Sequence, residues 1–133
     1  MQNVLKSEAD YVVLGGDFNA DPIVNAKEST LKDINDFMVN AIEEYLKKWL
    51  VPAEATYGNI KNSYSFRYGP RHYDYIFHRV KNVKNVKNVK NEETQIKTRY
   101  FNVPILQFNK DPHHIVSFSD HQAVVAELML FRK

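Results

Sequence analysis

The chain has 133 residues, which is the size of one ordinary domain and is long enough to bury a hydrophobic core. Hydrophobic residues make up 44% and charged residues 26% of it, with only four glycines, which excludes collagen-like, globally disordered and repeat-array proteins. Its 18 basic and 16 acidic side chains leave a formal net charge of +2, which is too balanced to indicate a strongly basic nucleic-acid-binding surface.

Cysteine does not occur in the sequence, which excludes disulfides, thiol nucleophiles and zinc sites of the cysteine type. No apolar stretch approaches the roughly 20 residues that a membrane-spanning helix needs. The first eight residues also lack the apolar core of a signal peptide. We therefore expect an intracellular protein.

The first third of the chain contains a predicted strand and a predicted helical region. Residues 11–14, Tyr-Val-Val-Leu, form a continuous β-favouring run, which predicts a strand that is covered on both faces and ends at Gly15. Between residues 31 and 49 apolar side chains recur every three or four positions, which predicts either one helix that Pro52 stops or two shorter helices that meet near Phe37. The apolar positions of this helical face are Leu31, Ile34, Met38, Ala41, Ile42, Tyr45, Leu46 and Trp49.

The rest of the chain contains a loop, a repeat and three predicted strands. Residues 56–71 are rich in Gly, Asn, Ser and Tyr and predict a long irregular loop, and residues 73–78 predict a strand. The Lys-Asn-Val triplet that recurs over residues 81–91 fits neither a helix nor a strand, and we interpret it as a solvated hairpin loop, with contact to nucleic acid or lipid headgroups as the alternative. Residues 98–108 and 122–131 predict two further strands, of which the last is apolar on both faces and is therefore expected in a sheet interior.

Three clusters that can carry chemistry lie at the ends of predicted strands, where α/β sheets present their ligand sites. In the first cluster, residues 16–19 (Gly-Asp-Phe-Asn), the alternation of an extended chain would place Asp17 and Asn19 on one side. A carboxylate there can hold Mg²⁺ or a water, and an amide can donate to a phosphoryl oxygen, as metal-assisted phosphoryl chemistry requires. The alternative interpretation is a Gly-Asp turn that is closed by an Asx cap.

The second and third clusters supply a carboxylate and an imidazole. Asp74 lies in a run of large apolar residues, where an ionised carboxylate is costly unless a cation or a donor meets it. Ser119, Asp120 and His121 open the last predicted strand and supply an oxygen ligand and a base with a pKa near physiological pH. A histidine at a strand edge is more often structural, but Asp74 and His121 together predict a carboxylate–imidazole pair that fixes the tautomer of a general base.

The three clusters, in this order, resemble the three C-terminal motifs of the endonuclease/exonuclease/phosphatase superfamily, which has the fold of pancreatic deoxyribonuclease. Within that superfamily the chain is similar to the neutral sphingomyelinases. The residues that carry this second resemblance are Thr56-Tyr57-Gly58-Asn59, Asn62-Ser63-Tyr64, Arg71 and Asp111-Pro112-His113.

The resemblance implies an α/β (α+β) fold for the single unit 1–133. It covers the chain from about Tyr11 onward and corresponds to the C-terminal half of a four-layer α/β/β/α sandwich, with a mixed or antiparallel sheet and one or two helices. In the family, a metal-binding glutamate and a second active-site histidine belong to the N-terminal half. A half sandwich would expose one sheet face to water, which favours dimerisation or aggregation. We therefore interpret the chain as a fragment of a longer enzyme, with a homodimer or a partner chain that completes the sandwich as the alternative. The side chains expected on that face are Val12, Leu14, Val124 and Leu128, or their alternates.

The resemblance also implies a role for each site residue. Asp17 would orient or activate the nucleophilic water and, with Asp120, contribute to a Mg²⁺ site. Asn19 would bind the scissile phosphate, and His121 would act as base or stabilise the transition state. Asp74 would orient His121.

The reaction implied for the complete, longer enzyme is hydrolysis of sphingomyelin to ceramide and phosphocholine, with association with a membrane surface implied by the resemblance alone. Another phosphodiesterase, a nuclease or an inositol-phosphate phosphatase of the same superfamily is the enzymatic alternative. Nucleic acid is the less expected substrate, because the charge of the chain is near neutral. An inactive truncated fragment is the non-enzymatic alternative.

Overall fold

The computed structural model describes residues 9–21, 31, 33–34, 36–46, 55–80 and 94–132. The Lys-Asn-Val repeat of residues 81–91 and the predicted end of the helical region at Trp49 and Pro52 lie outside these ranges, so both remain predictions. In the described part of the chain, no helix is both long and apolar enough to cross a membrane.

The described residues form a mixed α+β structure with antiparallel sheets, and the predicted fold class is confirmed. Its elements are β1 (Tyr11–Asp17), β2 (Val39–Asn40), α1 (Ala41–Leu46), a 3-10 helix (Phe66–Tyr68), β3 (Asp74–Val80), β4 (Thr94–Asn102), β5 (Gln107–Asp111), β6 (His114–Ser117) and β7 (Val125–Arg132). The strands pair as a three-stranded sheet in the order β1-β3-β2 and as two further pairs, β4-β7, which are distant in the chain, and the β5-β6 hairpin. Every pairing is antiparallel.

β1 is longer than the sequence predicts. It continues through Gly15 and Gly16 to Asp17, because its backbone pairs with β3 along the whole length and this pairing does not depend on side chains. Val12 and Leu14 pack against the core, whereas Val13 on the other face is 58% exposed. The prediction that both faces are covered is therefore wrong within the described residues, since an apolar run does not show which of its faces is packed.

The predicted helical region is interrupted near Phe37. Residues 31 and 33–34 have helical backbone, and the Ile34 carbonyl accepts hydrogen bonds from the N–H groups of Phe37 and Met38. β2 then pairs with β3, and α1 begins where the Asn40 side chain accepts the N–H of Ile42 at 3.2 Å. The hypothesis of two helices is thus closer to the structure than the hypothesis of one. The predicted apolar face is confirmed, because its buried members are Leu31, Ile34, Met38, Ala41 and Ile42.

The core lies against β3. Tyr75 and Phe77 are its largest buried side chains, and Phe18 packs edge-on against both rings, with centroid distances of 6.0 and 5.4 Å. The buried helical face described above and the residues Phe101 and Val103 complete the core. Burying such aromatic rings contributes most of the apolar stabilisation that positions β3.

The last strand is not an interior strand in the described structure. β7 pairs with β4, and its Leu130 side chain is 52% exposed. Val124 and Leu128 pack against the core, whereas the alternates Val125 and Met129 are exposed, as is Leu130 farther along the strand. The predicted strand 98–108 is divided, because β4 ends at Asn102 and β5 begins at Gln107, with a proline between them that has no N–H to donate.

A buried polar cluster joins α1, β3 and β4. The Nε2 atom of the buried His78 lies 2.9 Å from Glu44 Oε2 and 3.3 Å from Thr98 Oγ1. The same carboxylate oxygen accepts the backbone N–H of Thr98 at 2.8 Å. This cluster fixes the helix against the two strands by polar contacts, next to the apolar core.

Candidate active site

Asp17 and Asp74 are brought together by the register of β1 and β3. They occupy directly opposite positions in this antiparallel pair, at the end where β1 finishes and β3 begins. Opposite residues of an antiparallel pair present their side chains on the same face. The two carboxylates, which are far apart in the sequence, therefore project side by side.

His121 reaches this pair because the segment before β7 is bound to the 55–73 loop. Isolated antiparallel bridges join Tyr57 to Arg71 and to His121, and the N–H of Gln122 donates to the Thr56 carbonyl at 2.6 Å. The buried hydroxyl of Thr56 accepts the N–H groups of Tyr73 and Asp74, at 2.9 and 3.2 Å. Thr56 thus connects the chain before β3 with the chain before β7.

The imidazole of His121 lies between the two carboxylates. Its Nδ1 atom is 2.7 Å from Asp74 Oδ2, and its Nε2 atom is 3.8 Å from Asp17 Oδ2. An ionised carboxylate only accepts hydrogen bonds, so the Asp74 contact places a proton on Nδ1. In the neutral imidazole the lone pair is then on Nε2, which is directed toward Asp17. The structure brings together the carboxylate–imidazole pair that the sequence predicts.

The surroundings of His121 stabilise its charged form. Partial burial of the ring lowers its pKa, but the hydrogen bond to Asp74 and the charges of Asp74, Asp17 and Asp120 act in the opposite direction and outweigh it. The pKa of His121 is therefore raised from its ordinary value of 6.5. An imidazole with this basicity can accept a proton or stabilise negative charge as an imidazolium.

Asp17, Asp74 and His121 are a group that can hold a metal ion. One ligand atom of each lies within 4.8 Å of the others. Mg²⁺ prefers oxygen and is usually held by one or two carboxylates together with waters and substrate phosphates. His121 already engages Asp74, which leaves Asp17 as the available carboxylate of the group. The donor set is therefore compatible with a metal ion that prefers oxygen ligands, such as Mg²⁺, and Asp17 is the residue that would hold it.

Asn19 is placed differently from the prediction, and the metal-binding role of Asp120 stays a prediction. Asn19 lies after the end of β1 with a φ of 49°, and its N–H donates to Asp17 Oδ1 at 2.8 Å. The extended alternation expected for residues 17–19 is thus wrong, and the Asx turn is present. This turn orients the Asp17 carboxylate. Asp120 is exposed and lies outside the three-residue group, where its carboxylate accepts the hydroxyl of Ser119 at 3.2 Å.

A network of buried polar side chains holds the 119–121 turn in place. The sequence predicted a polar loop here but did not identify which residues form the network. The side-chain amide of Asn62, which is 1% exposed, donates to the Ser119 carbonyl at 2.8 Å and accepts the N–H of Ser65 at 3.0 Å. The Ser65 hydroxyl donates to the Asp120 carbonyl at 2.6 Å and accepts the N–H of Gly58 at 3.1 Å. The density of small polar residues in 56–71 is the sequence signal that points to this network.

The loop also depends on a close backbone approach at Gly58. Its φ is +64°, and a Cβ atom at this position would lie 1.8 Å from the carbonyl oxygen of Gly69. Glycine is therefore required at this position, both for the left-handed conformation and for the contact. The two arms of the loop can approach this closely only because Gly58 carries no side chain.

Comparison of the chain with family models, curated proteins and solved structures found no match. The candidate site therefore rests on its own geometry.

Proposed function

We propose that the chain carries the phosphodiesterase centre of a Mg²⁺-dependent enzyme that hydrolyses sphingomyelin to ceramide and phosphocholine. The observation that supports this proposal most strongly is the contact of Asp17, Asp74 and His121, which belong to three separate motifs and meet at one point. A carboxylate-oriented imidazole beside a second carboxylate is suited to hydrolysis by an activated water.

In this proposal His121 is the general base that accepts the proton of the attacking water. Asp74 holds the Nδ1 proton, so that Nε2 accepts a proton from the attacking water. The 3.8 Å between Nε2 and Asp17 Oδ2 is too long for a direct hydrogen bond, but one water can contact both atoms. The imidazolium that forms is stabilised by the neighbouring carboxylates and later releases its proton to solvent, while the alkoxide, which leaves opposite the attacking water, takes a proton from solvent.

Asp17 is the residue of the group that would hold Mg²⁺, with Asp120 as the second carboxylate in the proposal. The ion would supply electrostatic stabilisation of the phosphoryl oxygens. Asn19 remains proposed as the donor to the scissile phosphate, with its backbone fixed by the Asx turn to Asp17.

The test is release of phosphocholine from sphingomyelin in mixed micelles by the purified chain with Mg²⁺, compared with His121→Ala. We expect turnover that falls by about 10²- to 10⁴-fold in the variant, which is the usual contribution of a general base. His114→Ala is the matched control, because His114 is an exposed histidine at the start of β6, outside the site.

A folded chain that releases no phosphocholine at any protein concentration would contradict the proposal and favour the inactive-fragment alternative. Turnover that rises more steeply than protein concentration would indicate that two copies complete the site. Faster hydrolysis of DNA or of an inositol phosphate than of sphingomyelin would assign the centre to another activity of the superfamily.

A further inference from the structure

Three tyrosine rings form a continuous wall next to His121. Tyr57 stacks against Tyr68 and against Tyr73, with centroid distances of 5.8 and 5.6 Å and interplanar angles of 24° and 28°. The centroid of the His121 ring lies 5.0 Å from that of Tyr57 and 6.4 Å from that of Tyr73. We call Tyr57, Tyr68 and Tyr73 the tyrosine wall.

The tyrosine wall is held in place by backbone hydrogen bonds. Tyr57 and Arg71 exchange N–H to carbonyl bonds of 3.0 and 2.8 Å, and the N–H of Tyr68 donates to the Ser65 carbonyl at 3.0 Å. Ser65 in turn is bonded to the carbonyl of Asp120. These bonds fix the backbone that carries the rings, and stacking of Tyr57 on Tyr68 and on Tyr73 aligns the rings themselves, which lowers the entropy cost of binding.

The wall is accessible at one end, because Tyr57 and Tyr73 are half-buried and Tyr68 is exposed. Tyr68 is 67% exposed, so most of its ring is accessible to a ligand. Packing of the core does not explain this position, because the wall is not part of the buried apolar cluster. An accessible stack of rings beside a candidate active site is suited to binding a flat or a cationic group.

The charge around the wall selects between these two kinds of ligand. The carboxylates of Asp74 and Asp17 lie 2.7 and 3.8 Å from the ring nitrogens of His121, the ring that the wall contacts. Negative charge beside π-faces favours a cation. A quaternary ammonium group has no N–H to donate, so aromatic faces and nearby carboxylates are the groups that recognise it.

We propose that the tyrosine wall binds the trimethylammonium group of a phosphocholine substrate while its phosphodiester lies at Asp17 and His121. This inference rests on the proposed function, because it assigns a place to the cation of sphingomyelin. In phosphocholine one oxygen and two carbons separate the phosphorus from the nitrogen, so both groups bind within one small region. The wall would thus bind a choline headgroup more tightly than a headgroup that carries a primary amine or an uncharged group in place of the trimethylammonium.

The test compares binding of phosphocholine and of neohexyl phosphate, the isostere in which a carbon replaces the ammonium nitrogen, to the purified chain with Mg²⁺ by isothermal titration calorimetry. We expect phosphocholine to bind about two- to fivefold more tightly, which is the effect of one exposed cation–π contact. Tyr68→Ala should abolish this preference, and Tyr68→Phe should retain it. Tyr64→Ala is the matched control, because Tyr64 is an exposed tyrosine of the same loop outside the wall.

Equal affinity for the two compounds would overturn the proposed binding of ammonium by the tyrosine wall but not the binding of phosphate at Asp17 and His121. A preference for phosphocholine that persists in Tyr68→Ala would have the same meaning. Tighter binding of an adenosine nucleotide than of phosphocholine would also overturn it, in favour of base stacking. Binding of neither phosphate would overturn both proposals. A preference for phosphocholine without sphingomyelin hydrolysis would support the ammonium site and contradict the proposed function alone.

Discussion

The core against β3 and the loop of residues 55–73 differ in what holds them in place. The core is built from apolar side chains such as Phe77 and Ile34, which are both fully buried. The loop buries small polar residues, and the side chains of Asn62, Ser65 and Thr56 are bonded to named backbone groups. Apolar packing tolerates small shifts, whereas a buried polar group needs its partner in place. The loop therefore specifies the geometry of His121, and the core supplies the stability.

The largest expected effect is on the core. Phe77→Ala removes a ring that is 0% exposed and contacts Phe18 and Tyr75. We expect the free energy of unfolding to fall by about 3–5 kcal/mol. Urea denaturation checks this, with the exposed Phe118→Ala as the control. A loss below 1 kcal/mol would contradict the assignment of Phe77 to the core.

The second prediction concerns a substitution that should lower the rate of hydrolysis without lowering the stability of the fold. Asp74→Asn keeps the shape of the side chain but weakens the charge-assisted contact with His121 Nδ1. We expect turnover of sphingomyelin to fall by about 10- to 100-fold, with little change in the denaturation midpoint. Asp111→Asn provides a comparison, because Asp111 makes a similar contact to His114 at the exposed hairpin turn. Equal turnover in both variants would contradict a positioning role for Asp74.

The third prediction separates the loop from the core. Asn62→Ala leaves the Ser119 carbonyl and the N–H groups of Tyr64 and Ser65 without their side-chain partner. We expect a loss of about 1–3 kcal/mol in stability. Hydrogen exchange should increase in residues 56–71 and 117–122 more than in β3. Uniform acceleration over the whole chain would show that loop and core unfold together. Ile60→Ala, at an 85% exposed position, is the control.

The smallest expected effect depends on pH. Burial raises the pKa of Glu44, but hydrogen bonds from Thr98 and His78 outweigh it and lower the pKa from its ordinary value of 4.5. A lowered pKa contributes stability that is present above 4.5 and is lost as the pH falls through the folded-state value. The stability difference between the chain and Glu44→Gln should thus be largest near neutral pH and shrink under acidic conditions. A difference that grows in acid would contradict this.

The sequence predicted much of the site and part of the fold. The strands at β1 and β3 and the buried positions of the helical region follow from side-chain pattern, because periodicity reports which residues can share a face. The pairing of Asp74 with His121 was predicted from chemistry, because a carboxylate among apolar residues needs a hydrogen-bond donor and an imidazole base needs an acceptor that orients it. The break at Phe37 was less visible, because the apolar spacing of residues 31–49 continues across it.

The sequence by itself determined the fold class, the apolar face of the helical region and the residue types available for chemistry. Only the tertiary structure decided that Asp17 and Asp74 are opposite each other, that Asn19 turns back on Asp17, and that a tyrosine wall lies beside His121. The physical reason is that strand register and loop closure depend on contacts between residues distant in sequence, such as that of Asn62 with Ser119. Local pattern carries no information about those distances.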